Sequence, residues 1–359
     1  MSDTSDTTEI RDLLTNTAQR LFTDHVDAKQ LDAAKQAGWS PALWDELEEA
    51  ELPLIGVPES AHGAGGTLSD AAAVLRIAAR HAAPVPLAES MLAGWLLASA
   101  GLQAPRGPLT IADGRDLVAA KEGAIWRVSG TLQRVPYARA AKHLVVLAQG
   151  HVLSIEATLA RITPGRNLAG EARDEVSLNH VVARAAAPTA VSADTLQARG
   201  ALLRAVQIGG ALERALTLAC EYAQTRTQFG RKLAQFQAIQ QDIARCGGEV
   251  AAAVAAALSA VGVVERLDEN ADADAMRQTL TAVASAKIRA ADAAREAVAI
   301  THQVHGAIGV TDEYALHHYT LRALAWREEF GNEVYWARLL GRALQQAGAD
   351  ECWPVLSGV

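Results

Sequence analysis

Two kinds of periodicity divide the chain into helical and β-forming stretches. Apolar residues recur at the spacing of one helical face up to about residue 105, and again from about residue 191 to the end. Between these stretches, short apolar runs such as His143-Leu-Val-Val-Leu-Ala alternate with Gly, Pro, Asn and Asp, a pattern typical of short strands. We therefore predict an α+β, mainly α fold with a small β-rich middle.

Individual elements follow from their end signals and their lengths. Ser40 followed by Pro41 predicts a helix N-terminus, because Ser caps the first turn and Pro suits the first helical position. We predict helices over about Pro41–Glu51, Ser69–Ala83, Ala88–Ala100, Phe236–Leu267, Asp272–His305 and Glu313–Trp326, then a last one from after Gly331 to about Ala347. We predict strands, as parts of a small antiparallel β-domain, around Ala119–Lys121, Ala124–Ser129, His143–Ala148 and His151–Ile155.

Two adjacent glycines, Gly209 and Gly210, lie inside the first helix of the last third. Each costs roughly 1 kcal/mol relative to Ala in a helix interior, so a packing or functional reason is expected. We favour close helix packing over room for a flat ring or an acyl chain.

Composition and charge narrow the function. The 359-residue chain has a formal net charge of −8 and no block of Lys or Arg, so it lacks the basic footprint of a nucleic-acid-binding protein. Its three cysteines are widely spaced and form no C-x-x-C pair, which argues against a disulfide framework or a zinc site. The N-terminus is polar and no run of 18 apolar residues occurs, so we expect a cytoplasmic protein with no transmembrane helix.

The most informative motif is Arg226-Thr-Gln-Phe-Gly230, between two long helical stretches. An Arg offers a rigid fork of donors suited to a phosphate, and a Phe offers a flat apolar face. The alternative is an Arg at a helix C-terminus and a Phe that plugs the bundle. A second motif, Gln303-Val-His-Gly-Ala-Ile-Gly309, follows another long helix at the equivalent place.

With both motifs, the chain resembles the acyl-CoA dehydrogenase family along nearly its whole length. The stretch from Trp44 to Pro58, Gly63-Ala-Gly-Gly66, and Val128-Ser-Gly130 with Val135-Pro-Tyr-Ala138 resemble the family's first and middle domains. The resemblance implies a helical N-terminal domain (1–105), a small β-barrel-like middle domain (106–190) and a C-terminal helical bundle (191–359). It also implies an oligomeric flavoprotein of lipid metabolism that binds FAD and an acyl-CoA, with no nucleic-acid or metal ligand.

The resemblance also implies which residues contact FAD, in a site that a neighbouring subunit completes. Arg226 would bind the pyrophosphate, and an aromatic ring would lie against the adenine. Side-chain amides would bind the ribose and phosphates, and the backbone at a glycine would approach them closely. The residues matching the family's FAD motif are Arg226, Phe229, Phe236, Gln237, Gln303 and Gly306. Ala307 stands where the family usually has a second Gly, and a glycine-terminated helix C-cap is the alternative for Gln303 and Gly306.

The chain departs from the family at the catalytic base. The family reaction removes an α-proton from the acyl thioester and passes a hydride to the flavin, which requires one carboxylate base. The position of that base in most members is Phe330 here, and the position used by a minority falls near Gly200. Glu329, one residue early, is the candidate base, with Glu328 beside it. The alternative for Glu328-Glu329 is an acidic turn that is solvated or paired with Arg322 or Arg327.

The middle domain also lacks the Thr-Glu-Pro-x-Ala-Gly-Ser-Asp loop with which the family contacts the flavin ring. Ile111-Ala-Asp-Gly114 occupies roughly the corresponding region, and the stretch around it, from Pro105 to Glu122, is short.

The leading hypothesis is an FAD-dependent acyl-CoA dehydrogenase, alone or as one half of a heteromer. The alternatives are a non-catalytic subunit that completes a homologous partner's FAD site, and a flavin monooxygenase. His305, a possible ligand or base, has no metal-spaced partner.

Overall fold

The structure is a computed structural model that describes residues 3–123, 125–268 and 273–357. It divides into two compact units, residues 1–74 with 83–197 and residues 75–82 with 198–359. The predicted three-domain division, with boundaries near residues 105 and 190, stays a prediction.

The helical part of the first unit contains α1 (Asp3–His25), α2 (Ala28–Ala37), α3 (Pro41–Glu49), the beginning of α4 (Leu68–Arg80) and α5 (Leu87–Ser99). As predicted, the Ser40 side chain caps α3 by accepting from the Leu43 amide at 3.4 Å. Helix α2 was not predicted. Asp27 and Gln30 form a capping box at its start, and Gly38 ends it with φ +88°.

The β part of the first unit contains β1 (Leu109–Asp113), β2 (Val118–Glu122), β3 (Ile125–Pro136), β4 (His143–Ala148), β5 (His151–Glu156), β6 (Arg161–Thr163), β7 (Arg173–Val182) and β8 (Ala185–Pro188). They form two four-stranded sheets, ordered β1-β4-β5-β8 and β2-β3-β7-β6. Inward-facing residues of both sheets, among them Val128, Leu153 and Val176, form one buried cluster. The expectation of a wholly antiparallel β-domain is wrong for one pair, because β1 runs parallel to β4.

The second unit is a helical bundle. It contains most of α6 (Ala193–Thr225), the two-residue strands β9 (Thr227–Gln228) and β10 (Arg231–Lys232), α7 (Gln237–Leu267), α8 (Ala273–His305), α9 (Leu316–Glu328), α10 (Glu333–Ala347) and α11 (Cys352–Ser357). Asp272, where we predicted the start of α8, and Ala124, where we predicted the start of a strand, lie outside the described residues. Helix α7 is long and apolar enough to cross a membrane by length and composition alone, although we expected no such helix. The core helices of soluble proteins can meet the same criteria of length and composition.

The two adjacent glycines of α6 pack closely against their neighbours. A Cβ on Gly210 would lie 2.3 Å from the carbonyl oxygen of Arg76, and one on Gly209 would lie 3.0 Å from a methyl group of Val254. Backbone lies where the Gly210 side chain would be, so the favoured explanation, close packing, agrees with the structure.

We expect Gly210→Ala to destabilise the chain by about 1–3 kcal/mol, because the added methyl forces the backbone at Arg76 to move. The matched control is Gly248→Ala on α7, where an added Cβ meets nothing within 4 Å. That change should stabilise the chain by up to about 1 kcal/mol, since Ala has the higher helix propensity. Urea unfolding followed by circular dichroism compares the two; equal effects would contradict the packing argument.

Candidate functional site

The Arg226 motif forms a tight hairpin after α6. The Arg226 amide donates to the Tyr222 carbonyl at 2.8 Å, which extends the helical turn to the motif. Strands β9 and β10 then pair antiparallel, leaving Phe229 and Gly230 as the two loop residues. Both have positive φ, +55° and +80°, as a two-residue hairpin loop of type I′ requires.

Phe229 is an unusual residue at this position. A left-handed backbone is unfavourable for a bulky side chain, and its ring is 91% exposed. The alternative prediction, a Phe that plugs the bundle, is therefore wrong for Phe229. Strain combined with an exposed apolar ring points to a residue kept for contact with a ligand or a partner.

The residues after the hairpin hold its shape. Phe236 is half-buried, the Arg231 guanidinium lies 4.0 Å from the centre of its ring, and the Phe229 ring meets it edge-on at 6.4 Å. Gln237 is exposed at the first position of α7. The hairpin and the start of α7 therefore present the exposed side chains of Arg226, Phe229 and Gln237.

The second motif lies at the end of α8. Gln303 is exposed on the last turn, and Gly306 follows the helix with φ +61° and open space where a Cβ would point. Residues Gly306–Val310 form a 3₁₀ helix that leaves Ile308 and Val310 40% and 74% exposed. This backbone is open to the approach of another molecule.

Aromatic contacts join the two motifs within the bundle. The rings of Tyr222, four residues before Arg226, and His305, one residue before Gly306, stack at 4.7 Å. His305 Nδ1–H donates to the Thr301 carbonyl at 2.7 Å, so Nε2 accepts from the Tyr314 hydroxyl at 3.1 Å. Burial lowers the pKa of His305, which keeps its ring neutral at pH 7. His305 thus positions the end of α8. The sequence analysis did not identify Tyr222 and Tyr314 as part of this site, because neither belongs to one of the two motifs.

Glu329, the tentative base, is held in an ion pair. Nε and Nη2 of Arg204 both reach its Oε2 atom, at 2.8 and 2.7 Å. Arg204 is 2% exposed and the Glu329 side chain 11%. The structure therefore gives Glu329 a buried cation on α6 as partner.

Of the two arginines expected beside the acidic turn, Arg327 pairs with Glu333 and also lies 3.8 Å from the Glu328 carboxylate, whereas Arg322 Nη1 donates to the His318 carbonyl. The Arg-paired turn is thus present: Glu328 meets the expected Arg327, and Glu329 meets Arg204, which was not expected.

Phe330, at the base position implied by the sequence resemblance, packs against Gly200, near which the second such position falls. Its backbone has φ +53°, and its carbonyl accepts from Trp336 Nε1 at 3.0 Å. A Cβ on Gly200 would lie 2.4 Å from two atoms of the Phe330 ring. Phe330 and Gly200 are therefore in direct contact, and the ring fills the space where a side chain at position 200 would lie.

Lys287 fixes the start of this turn from α8. Its buried ammonium donates to the carbonyls of Trp326 and Arg327 at 3.0 and 2.6 Å, at the C-terminal end of α9. Burial lowers the Lys287 pKa to about 7, opposed by the nearby Glu329 carboxylate.

Comparison with known proteins identifies the family. The family model described as "Acyl-CoA dehydrogenase, N-terminal domain" matches residues 7–106, and "Acyl-CoA dehydrogenase, C-terminal domain" matches residues 190–345. The acyl-CoA dehydrogenase IpdE2 of Mycobacterium tuberculosis is 30% identical over 319 residues, 88% of this chain and 91% of that protein. The chain belongs to the acyl-CoA dehydrogenase family, whose members are typically flavoproteins.

Solved structures show the same fold. The Tcur3481–Tcur3483 steroid acyl-CoA dehydrogenase G363A variant is 26% identical with a TM-score of 0.83, covering 95% of this chain and 99% of that one. The ChsE4–ChsE5 complex from Mycobacterium tuberculosis is 24% identical, also with a TM-score of 0.83, covering 94% and 98%. The predicted acyl-CoA dehydrogenase fold is confirmed.

Proposed function

We propose that this chain is one half of a heteromeric FAD-dependent acyl-CoA dehydrogenase, the half that lacks a base and completes the FAD site of a homologous partner subunit. The contact between Phe330 and Gly200 carries the proposal. An acyl thioester needs a carboxylate beside its α-carbon to lose a proton. At the proposed base position stands a phenyl ring, and the carboxylate that precedes it in the chain, Glu329, is held by Arg204.

The chemistry of the exposed motifs fits the adenosine diphosphate half of FAD. Arg226 offers a cationic fork for the pyrophosphate, Phe229 an uncovered face for the adenine, and Gly306 a backbone that a phosphate could approach without meeting a Cβ. Phe236, Gln237 and Gln303 complete the proposed set. When bound, FAD would supply the hydride acceptor, and this chain's residues would hold its far end.

Two similar structures bear paired chain names, ChsE4–ChsE5 and Tcur3481–Tcur3483, which supports a heteromer. The second is named a steroid acyl-CoA dehydrogenase, so we propose a bulky acyl-CoA as the substrate of the complex, in the cytoplasm. The competing proposal is a self-sufficient dehydrogenase in which Glu329 leaves Arg204 and acts as base.

Absorbance spectra of the chain, purified alone and after co-expression with a carboxylate-bearing homologue, test the proposal. We expect oxidised-flavin bands only in the co-purified complex, and bleaching of those bands by a bulky acyl-CoA without oxygen. Glu329→Gln in the complex should leave that bleaching rate unchanged. A flavin-loaded single chain that bleaches, and loses activity with Glu329→Gln, would establish the competing proposal instead.

Arg226→Ala in the same complex should weaken FAD binding by roughly 10- to 100-fold, the loss expected for hydrogen bonds from a charged group. FAD titration of the apo-complex measures it. Arg245→Ala on α7, an exposed arginine paired only loosely with Asp242 at 3.5 Å, is the matched control and should change nothing. Equal effects of the two changes would remove Arg226 from the proposed site.

A further inference from the structure

Three rings from three segments of the bundle pack into one cluster. Tyr222 lies in the last turn of α6, His305 ends α8, and Tyr314 lies in the turn before α9. The Tyr222 and His305 rings stack with their centres 4.7 Å apart and their planes at 26°. The Tyr314 ring lies 4.8 Å from His305 and 6.1 Å from Tyr222. This ring cluster therefore joins the ends of the two helices that carry the motifs.

His305 is the centre of the ring cluster, and its side chain is fixed by several contacts at once. It is 3% exposed. Its Nδ1–H donates to the Thr301 carbonyl at 2.7 Å, and the Tyr314 hydroxyl donates to Nε2 at 3.1 Å. The Leu218 carbonyl of α6 also faces the ring. A different rotamer would break the stack and both hydrogen bonds together, so the ring has little freedom to turn.

The ring cluster lies next to both segments that we propose to contact FAD. The Arg226 amide donates to the Tyr222 carbonyl at 2.8 Å, and Gly306 follows His305 directly in the chain. Arg226, Phe229 and Gly306 are themselves exposed. The contact between the two helix ends therefore sets the position of the Arg226 hairpin with respect to the Gly306 turn.

A ligand that contacts two segments at once binds more tightly when the two are already held together. If the hairpin and the Gly306 turn moved independently, binding would have to order them, and that ordering would reduce the affinity. A rigid contact between the two helix ends removes this cost before the ligand arrives.

We propose that His305 is a positioning residue for FAD, which acts through Tyr222 and Tyr314 to hold the Arg226 hairpin and the Gly306 turn in the arrangement that binds the adenosine diphosphate half. Because His305 is 3% exposed, its ring acts through the two segments and not on FAD itself. This inference rests on the proposed function, on the contact of FAD with Arg226 and Gly306, and it is independent of which residue is the base.

FAD titration of the apo-complex with the homologous subunit tests the role of the ring cluster. We expect Tyr222→Leu and His305→Leu each to weaken FAD binding at least roughly fivefold, because a displaced guanidinium keeps its charge but loses its hydrogen-bond geometry. Tyr222→Phe keeps the stacked ring and should bind FAD within about twofold of the wild type. If His305→Leu does not fold, Tyr314→Phe, which removes only the hydroxyl that donates to Nε2, must still weaken FAD binding.

Combination with Arg226→Ala separates positioning from a general loss of stability. Tyr222→Leu should weaken FAD binding less in the Arg226→Ala background than in the wild type, because the contact that Tyr222 positions is already lost. The matched control is Tyr319→Leu, which removes a ring of α9 that is 7% exposed. It should lower the urea midpoint of the complex and leave FAD affinity unchanged.

Three results would each overturn the inference. They are full additivity of Tyr222→Leu with Arg226→Ala, equal losses for Tyr222→Phe and Tyr222→Leu, and an effect of Tyr319→Leu on FAD affinity as large as that of Tyr222→Leu. If Arg226→Ala weakens FAD binding and the ring-cluster variants do not, this inference alone fails. If Arg226→Ala binds FAD like the wild type, the proposed FAD contact fails, and the positioning role fails with it.

Discussion

Arg204→Met should destabilise the chain by about 3–5 kcal/mol, more than any surface change. Arg204 is 2% exposed and is the observed ion-pair partner of the Glu329 carboxylate, whose side chain is 11% exposed. Removing one partner of a buried ion pair leaves the other charge buried without compensation. The free-energy cost of that buried charge is larger than the net stabilisation that the intact pair provides. Met fills much of the volume above the Trp326 and Phe330 rings, so lost packing contributes less.

Urea unfolding of the single and double variants separates the charge effect from packing. Arg204→Met combined with Glu329→Gln should cost less than the sum of the two single changes, because the double variant leaves no unpaired charge. The matched control is Arg214→Met on the same helix. Arg214 faces Glu221 at 3.4 Å across an exposed surface, and its loss should cost no more than about 1 kcal/mol. If Arg204→Met costs no more than this control, Glu329 does not depend on the pair.

The same pair bears on whether Glu329 acts as a base. A general base must be free to take a proton from the substrate, whereas Glu329 would first have to leave a buried guanidinium. The expected outcome is therefore a large loss of stability on breaking the pair and no change in the turnover of a heteromer. The two measurements together distinguish a structural carboxylate from a catalytic one.

Local signals predicted most elements of the fold. Helix α3 begins where the Ser40-Pro41 pair indicated, and β4 spans His143–Ala148 as the apolar run predicted. Helix α2 was missed although Asp27 and Gln30 form a capping box, because its ten residues carry only a short apolar pattern. The parallel pairing of β1 with β4 depends on strands far apart along the chain, and strand patterns do not report which neighbours they have.

The candidate site was only partly predictable for the same physical reason. The Arg226 turn and the Gln303 segment are continuous in sequence, so their chemistry could be inferred before their geometry. The ion-pair partner of Glu329 could not be predicted, because Arg204 lies 125 residues earlier in the chain and two nearer arginines, Arg322 and Arg327, carry the same charge. Nor did spacing indicate that Tyr222 stacks on His305.

Phe330 and Gly200 form a close contact that spacing along the chain could not predict. The phenyl ring at position 330 fits because residue 200 has no side chain, since a Cβ there would lie 2.4 Å from the ring. A carboxylate side chain at position 200 would therefore require the Phe330 ring to move.

Lys287 should make the stability of the chain rise with pH just above neutrality. Burial lowers its pKa from 10.5 to about 7 in the folded state, so between these values the unfolded chain binds more protons than the folded one. Stability then increases with pH by up to about 1.4 kcal/mol per pH unit, and it is independent of this group below both values. Lys287→Met should remove that slope.

The slope is best measured by urea unfolding between about pH 7.5 and about pH 8.5. Burial raises the pKa of the Cys246 thiol to about 12, so at higher pH the unfolded thiol ionises first and stability falls, which opposes the lysine. The difference between the wild-type chain and Lys287→Met cancels the thiol, because both proteins contain it. Lys232→Met, an exposed lysine on the hairpin, should keep the wild-type slope. A slope that survives Lys287→Met would mean that the ammonium does not lose its proton inside the fold, and that the end of α9 is held by a charged group at every pH tested.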